Sequence, residues 1–212
     1  MRWRGSRSHT EWAMRTIVVA TANAGKVAEL AEALKGSEYK VQSLETLSDR
    51  TPVEETGATF EANARLKAEA YSLRTPHVVL ADDSGLEVDA LGGSPGVLSA
   101  RYGSPTLSDT ARCKAILEAL TGTPDAERTA RFRCVLAVAK GGRTLATFDG
   151  VVEGTILRQP RGGSGFGYDP IFFHAPSGKA FGELTREEKE KVSHRGVAIR
   201  KFLAAVRRGE LA

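Results

Sequence analysis

Apolar positions along the chain switch repeatedly between a period near two and a period near three and a half, and the switches mark out the elements. Residues 16–20 (Thr-Ile-Val-Val-Ala) are β-branched and predict a strand. A polar turn, Thr21 to Lys26, leads into a helix with Val27, Leu30, Ala31 and Leu34 on one face. A second short strand is expected at 39–43, then a polar loop at 45–57. Residues 59–73 read as an Ala-rich helix capped at or near Thr59. Residues 78–81 form a short apolar run of the kind that makes a buried strand. This run meets Asp82 and Asp83, after which Ser84-Gly85 is expected to turn the chain and residues 92–96 to form a flexible loop. A helix near 108–120 points Ala111, Ala115, Ile116 and Leu120 inward. Residues 131–139 alternate, with Phe132, Cys134, Leu136 and Val138 on one side, and predict a strand with one buried face. Gly141-Gly142 turns this strand into a second, 144–157, with a bulge expected at Gly150 or Gly154. That hairpin makes the sheet mixed. Residues 162–170 are a glycine-rich loop, 171–173 re-enter the core, and 184–189 make a short helical turn. Ser193 caps a last helix whose inner face is Ile199, Phe202, Leu203 and Val206.

Composition adds bounds. The 212 residues are 41% hydrophobic and 26% charged, which suits a globular protein of one sizeable domain or two lobes. The net charge is +4, with several of the positive charges in the first 15 residues and the last dozen; so diffuse an excess fits anionic ligands without demanding nucleic acid. Cys113 and Cys134 stand far apart in no metal-like spacing and read as reduced thiols of a cytoplasmic protein. No apolar run approaches the ~18 residues of a membrane span. Residues 1–15 lack the apolar stretch of a secretory signal and read as a loose tail ahead of a single domain, 16–212.

The chemistry gathers at a few places. Adjacent carboxylates at the end of a buried strand repel each other and resist desolvation. A cation relieves both, and Mg²⁺ takes carboxylate oxygens together with substrate phosphates. Taken alone, Asp82-Asp83 also fits a turn in which Asp82 caps and Asp83 faces water. Strand, polar turn, Lys26 and helix make a layout that grips phosphate through helix amides and a point charge. The same layout also serves as a plain connection, and it is not a Walker A loop. Glu54 and Glu55 matter only if their loop folds over Asp83. Thr59, Asn63 and Lys67 fall at i, i+4, i+8 on one helix face. Phe166 and Tyr168 lie in a loop whose aromatic faces can stack on a nucleobase. His194 and Arg195 open the last helix, where positive charge is disfavoured, and a local rule broken without evident gain points to a site.

These segments together resemble the inosine triphosphate pyrophosphatase family. The resemblance rests on Thr21-Ala22-Asn23-Ala24-Gly25-Lys26, Glu54-Glu55-Thr56-Gly57, Phe60-Glu61-Ala62-Asn63-Ala64, Ala81-Asp82-Asp83-Ser84-Gly85-Leu86, Gly92-Gly93-Ser94-Pro95-Gly96, Gly165-Phe166-Gly167-Tyr168-Asp169-Pro170 and Leu184-Thr185 through Ser193-His194-Arg195-Gly196. Ala22 stands where a Gly is more usual. The resemblance implies an elongated, two-lobed α/β fold around a mixed sheet with flanking helices, a ligand cleft between the lobes, and a homodimer. It implies hydrolysis of ITP, dITP and XTP to the monophosphate and pyrophosphate with Mg²⁺, clearing deaminated purines from the nucleotide pool. In that reading Asp83 is the general base, and Glu55 is its partner at the metal, with Glu54 and Asp82 as alternatives. Lys26, the amides of Ala22, Asn23, Ala24 and Gly25, Asn63 and Lys67 hold the phosphates, and Thr21 and Ser84 join the substrate-binding set. Phe166 stacks on the base beside Gly167, Tyr168, Asp169 and Lys189. His194 and Arg195 donate to the 6-keto oxygen, where adenine offers a clashing donor. The rival readings are a pyrophosphatase of other modified or ordinary nucleotides, and a basic nucleic-acid-binding module. Against the second, the basic residues do not cluster within the fold.

Overall fold

The computed structural model describes residues 15–211. The expected tail lies outside the described residues except for Arg15, which opens β1 (Arg15–Val19). α1 (Ala24–Ala33) crosses over to β2 (Tyr39–Ser43), which pairs in parallel with β1. α2 (Phe60–Ser72) carries the chain to β3 (Val78–Val88), parallel to β1 on its other side. The rest of the sheet is antiparallel: β4 (Thr129–Lys140), β5 (Arg143–Ile156), β6 (Phe172–His174) and β7 (Lys179–Ala180) follow β3 in order. α3 (Asp109–Ala119) lies between β3 and β4, and α4 (Arg186–Val192) and α5 (His194–Arg207) close the chain. The sheet is mixed and seven-stranded, in the order β2-β1-β3-β4-β5-β6-β7.

β3 does not turn at Ser84-Gly85. It continues in register with β4 from Asp82↔Leu136 to Val88↔Ala130, because cationic side chains on both faces make two mid-strand carboxylates tolerable. Gly85 serves close approach instead: a Cβ there would strike Ser99 Oγ and the Gly96 carbonyl. The bulge falls neither at Gly150 nor at Gly154 but where β4 shifts between Val138 and Ala139. Gly150 and Gly154 let backbone in, since a Cβ at Gly150 would overlap the His194 carbonyl and one at Gly154 would meet Phe172 and the Phe173 carbonyl. From Cys134 onward β4 is buried on both faces, not one. α5 covers Cys134, Leu136 and Val138, and α2 covers Val135, Ala137 and Ala139. The helical turn expected at 184–189 is longer, a capping box at Thr185 and Glu188 starting the seven residues of α4.

Packing follows the alternation of the central strands. On one face Ile17, Val19 and Leu80 pack under α1 and α5 through Leu30, Leu34, Ile199 and Phe202. On the other, Val18, Val79 and Ala81 pack under α2 through Phe60, Ala64, Ala68 and Tyr71. A second apolar centre lies further along β3 to β5, built from Leu86, Ile116, Leu120, Phe132, Phe172 and Phe181. The same alternation sends Asp82 to the α1/α5 face and Asp83 to the α2 face.

Candidate active site

Asp82 is fully buried. Lys26 Nζ lies 2.7 Å from its Oδ1, Arg195 Nε and Nη2 donate to its Oδ2 at 3.2 and 3.1 Å, and the Cys134 thiol donates at 3.4 Å. The Lys26 contact is a close ion pair without hydrogen-bond direction, so Oδ1 has no directed donor. Burial alone would raise this carboxyl, but Lys26, Arg195 and Lys67 outweigh it and hold it far below the ordinary range. Arg195 also donates to Glu29 and, at 2.9 Å, to Ser84 Oγ. Lys189 then links Glu29 at 2.6 Å to Asp169 at 2.5 Å. Six side chains of alternating sign thus run through the interior: Lys26, Asp82, Arg195, Glu29, Lys189, Asp169. Two corrections follow. Asp82 faces cations with both oxygens and is withdrawn as a metal alternative. The positive charge at the start of α5 has a structural gain after all, because Asp82 and Glu29 offset it.

Asp83 looks the other way. Lys67 Nζ donates to Glu55 Oε1 at 2.6 Å, to the Asp82 carbonyl at 2.7 Å and to Asp83 Oδ1 at 3.2 Å. The loop carrying Glu55 does fold over Asp83, and Arg101 reaches Glu55 Oε2 at 3.3 Å. Burial pushes the Asp83 carboxyl up, and Glu55 and Asp82 push the same way, so it ends above the ordinary aspartate range despite Lys67 and Lys26. Burial also raises Glu55, but Lys67, Lys26 and Arg101 outweigh it and hold it low. The base candidate is therefore the more basic of the two carboxylates. Glu54 is exposed and lines no part of the cleft, so it too is withdrawn. Among the described residues, no group of three or more His, Cys, Asp or Glu side chains is placed to hold an ion. Two carboxylates, Glu55 and Asp83, meet at one ammonium, a donor set that fits Mg²⁺ completed by substrate phosphates and water. Asn63 was expected on phosphate but is fully buried behind Asp83, away from the cleft wall.

The cleft measures ≈ 920 Å³ and takes its walls from both apolar centres. The turn from Thr21 to Ala24, Lys26, Lys67, Asp83, Ser84, Phe166 to Asp169, Lys189, His194 and Arg195 all line it. Asn23 spends its side chain capping α1, Oδ1 accepting from Lys26 N at 3.1 Å. Gly25 is covered by Phe166: a Cβ there would sit 2.6 Å from the ring. Phe166 also meets Lys189 Nζ at 4.7 Å and the Arg195 guanidinium at 5.7 Å from its centroid. Asp169 is a loop anchor, accepting from Phe166 N at 2.9 Å, and the Tyr168 hydroxyl donates to the Ser99 carbonyl at 2.8 Å. The His194 ring stacks on Phe132, centroids 4.8 Å apart, and its Nδ1 has no partner among the described residues. Burial, with Arg195 and Lys189 close by, lowers its pKa well below the ordinary value, so the imidazole is neutral at pH 7. Gly25→Ala is expected to force the Phe166 loop outward at a cost of about 1–3 kcal/mol. Steady-state kinetics should show it as a raised KM with kcat less affected.

A sequence profile described as the Ham1 family matches residues 17–205. The chain belongs to the Ham1 family. It is 47% identical over 191 residues to the dITP/XTP pyrophosphatase of Bacillus licheniformis, covering 90% of this chain and 97% of that protein. With the protein of the same description from Geobacillus kaustophilus it shares 50% identity over 189 residues, covering 89% and 93%. The solved HAM1 protein of Coxiella burnetii superposes with a TM-score of 0.82 at 40% identity, covering 92% of this chain and all of that one, 100%. A Mycobacterium abscessus structure described as a nucleoside-triphosphatase and dITP/XTP pyrophosphatase superposes at 0.69 with 41% identity, covering 90% and 98%.

Some residues of this Ham1-family cleft carried no signal strong enough to pick out beforehand. Glu29, which joins Arg195 to Lys189 in the ion-pair chain, lies outside the apolar face that defines α1; its i+3 spacing from Lys26 is the available clue. Asp109 accepts from Gly167 N at 2.7 Å and Cys113 donates to the Gly167 carbonyl at 3.3 Å, so α3 holds the glycine-rich loop from behind. No local pattern announces that contact.

Proposed function

We propose that this protein hydrolyses dITP, ITP and XTP at the α–β phosphoanhydride, giving the nucleoside monophosphate and pyrophosphate and so removing deaminated purines from the nucleotide pool. The observation that carries the reading is one cleft lined both by Asp83, raised in basicity beside Glu55 and Lys67, and by Phe166 and a neutral His194 stacked on Phe132. A divalent cation, Mg²⁺ in this proposal, would be held by Glu55 and Asp83 and would neutralise triphosphate charge. Asp83 accepts the proton of the attacking water. Lys26, Lys67 and the free amides at the start of α1 bind the phosphate oxygens and the charge that develops on them. Phe166 stacks on the base. His194 donates to the 6-keto oxygen of hypoxanthine or xanthine and meets a donor in adenine. Arg195, whose Nε and Nη2 protons go to Asp82 and Ser84, supports that part of the cleft rather than reading the base alone.

In the same proposal the protein is a cytoplasmic homodimer. Two free, buried thiols suit a reducing compartment, and Leu73 (73% exposed) and Leu98 (49% exposed) offer apolar surface to a partner. Light scattering checks the dimer. The function is tested by measuring pyrophosphate released from ITP, dITP, XTP, GTP, ATP and the pyrimidine triphosphates: the reading expects the deaminated purines to lead by a wide margin. Comparable rates on all six classes would overturn it. Lys26→Ala removes a charge from the phosphates and should raise KM and lower kcat together, by about 1.5–3 kcal/mol in kcat/KM. Unchanged constants would reduce the Thr21–Lys26 turn to a connection.

A further inference from the structure

Asn63 breaks two local rules at once. Asparagine is a poor residue for a helix interior, because its amide competes for backbone groups. It is also fully buried, where an unpaired amide is costly. Its side chain does not bond back to its own helix. Oδ1 accepts from the Gly57 amide at 2.7 Å, and Nδ2 donates to Asp83 Oδ2 at 3.3 Å. The orientation is forced, since Gly57 N–H can only donate and a carboxylate can only accept. Gly57 is tailored to this contact: a Cβ there would stand 2.7 Å from Asn63 Oδ1 and 2.7 Å from Ala62 Cβ. Gly57 lies two residues after Glu55, and Asp83 takes Lys67 on its other oxygen.

We infer that Asn63 is a positioning residue: a buried splint that fixes the loop carrying Glu55 to the carboxylate of Asp83, so that the two are held at a set separation before any ligand arrives. The inference rests on the proposed hydrolysis and adds a residue that touches neither phosphate nor base. Lys67 joins Glu55 and Asp83 from the cleft side, and Asn63 joins Asp83 to Gly57, two residues along the same loop, from behind. An ammonium on a flexible stem sets charge; a buried amide bonded at both ends sets geometry.

The test uses Asn63→Leu, which keeps the branched shape with some added bulk and removes both bonds, with XTP turnover and with Mn²⁺ as a paramagnetic probe for the cation. Expected are a fall in kcat of tenfold or more, KM for XTP within threefold of wild type, and a several-fold weaker Mn²⁺ affinity by electron paramagnetic resonance titration of the nucleotide-free protein. A merely structural side chain would leave Mn²⁺ affinity unchanged in the folded variant, which overturns the inference. So does a rise in KM matching the loss in kcat, which would put Asn63 on phosphate. Gly57→Ala covers the case in which Asn63→Leu fails to fold: it keeps the amide but pushes the loop off it, and the same split between kcat and KM is expected, normal kcat again overturning the inference. If wild type itself does not turn over XTP, the proposed function fails; if wild type does and both variants match it, only the splint fails.

Discussion

Asp83→Asn is expected to lose turnover by ~10²-fold or more, the scale of general-base catalysis, in a protein that still folds. The substitution is nearly isosteric. The amide oxygen can still accept from Lys67, which keeps its contact with Glu55, while the new amide nitrogen faces the Asn63 Nδ2 donor and that bond is lost. Lost besides are the proton acceptor and one of the two negative charges at the candidate cation site. The direction of the Asp83 shift adds a second signature. Its carboxyl is held above the ordinary aspartate range, and only the ionised form accepts a proton. Wild-type kcat/KM should therefore fall on acidification as Asp83 is protonated, and the residual activity of Asp83→Asn should lack that limb. Near-normal kcat in a folded variant, checked by circular dichroism, would remove Asp83 from the mechanism.

Arg195→Ala is expected to act first on stability. It deletes the central cation of the buried chain, leaving Asp82 with Lys26 and Glu29 with Lys189. Breaking one partner out of a buried ion pair typically costs ~3–5 kcal/mol, because the partner keeps its desolvation penalty. For a chain of this size that is a fall in Tm of roughly 10 °C or more by differential scanning calorimetry. A change of under 1 °C would mean the chain stores little stability. The pH dependence has a definite sign. Asp82 and Glu29 both titrate lower in the folded state than unfolded. Their contribution is complete above their unfolded values, near pH 4, and is lost as pH falls from there toward their lower folded values. Arg195→Ala should therefore flatten the wild-type loss of Tm below about pH 4.

Much of the fold was legible because its period-two and helical stretches are long and well capped. Thr59, Ser108 and Ser193 cap helices that begin where the polar-to-apolar switch places them. β2 falls at Tyr39–Ser43, and the Gly141-Gly142 turn, with both φ positive, joins β4 to β5. The continuation of β3 was not legible, because Ser84-Gly85 has the composition of a turn. Only the distant Lys26, Lys67 and Arg195 make carboxylates tolerable in mid-strand. The candidate site follows the same division. Motifs adjacent in sequence, the Thr21–Lys26 turn and the Phe166 loop, do line one cleft. The roles of Asp82, Asn63 and Glu29 depend on which face of a strand or helix each occupies and on partners more than a hundred residues away in some cases, as for Arg195 and Asp82. A linear pattern holds no record of such pairings.

The central claim is that the cleft cuts a deaminated purine triphosphate between its α and β phosphorus atoms. Phosphorus-31 NMR of ITP incubated with the purified protein and Mg²⁺ tests it most directly. The account predicts that IMP and pyrophosphate resonances grow in step as ITP disappears, with no orthophosphate formed early. Release of orthophosphate with IDP as the first product, or no loss of ITP at all, would contradict it.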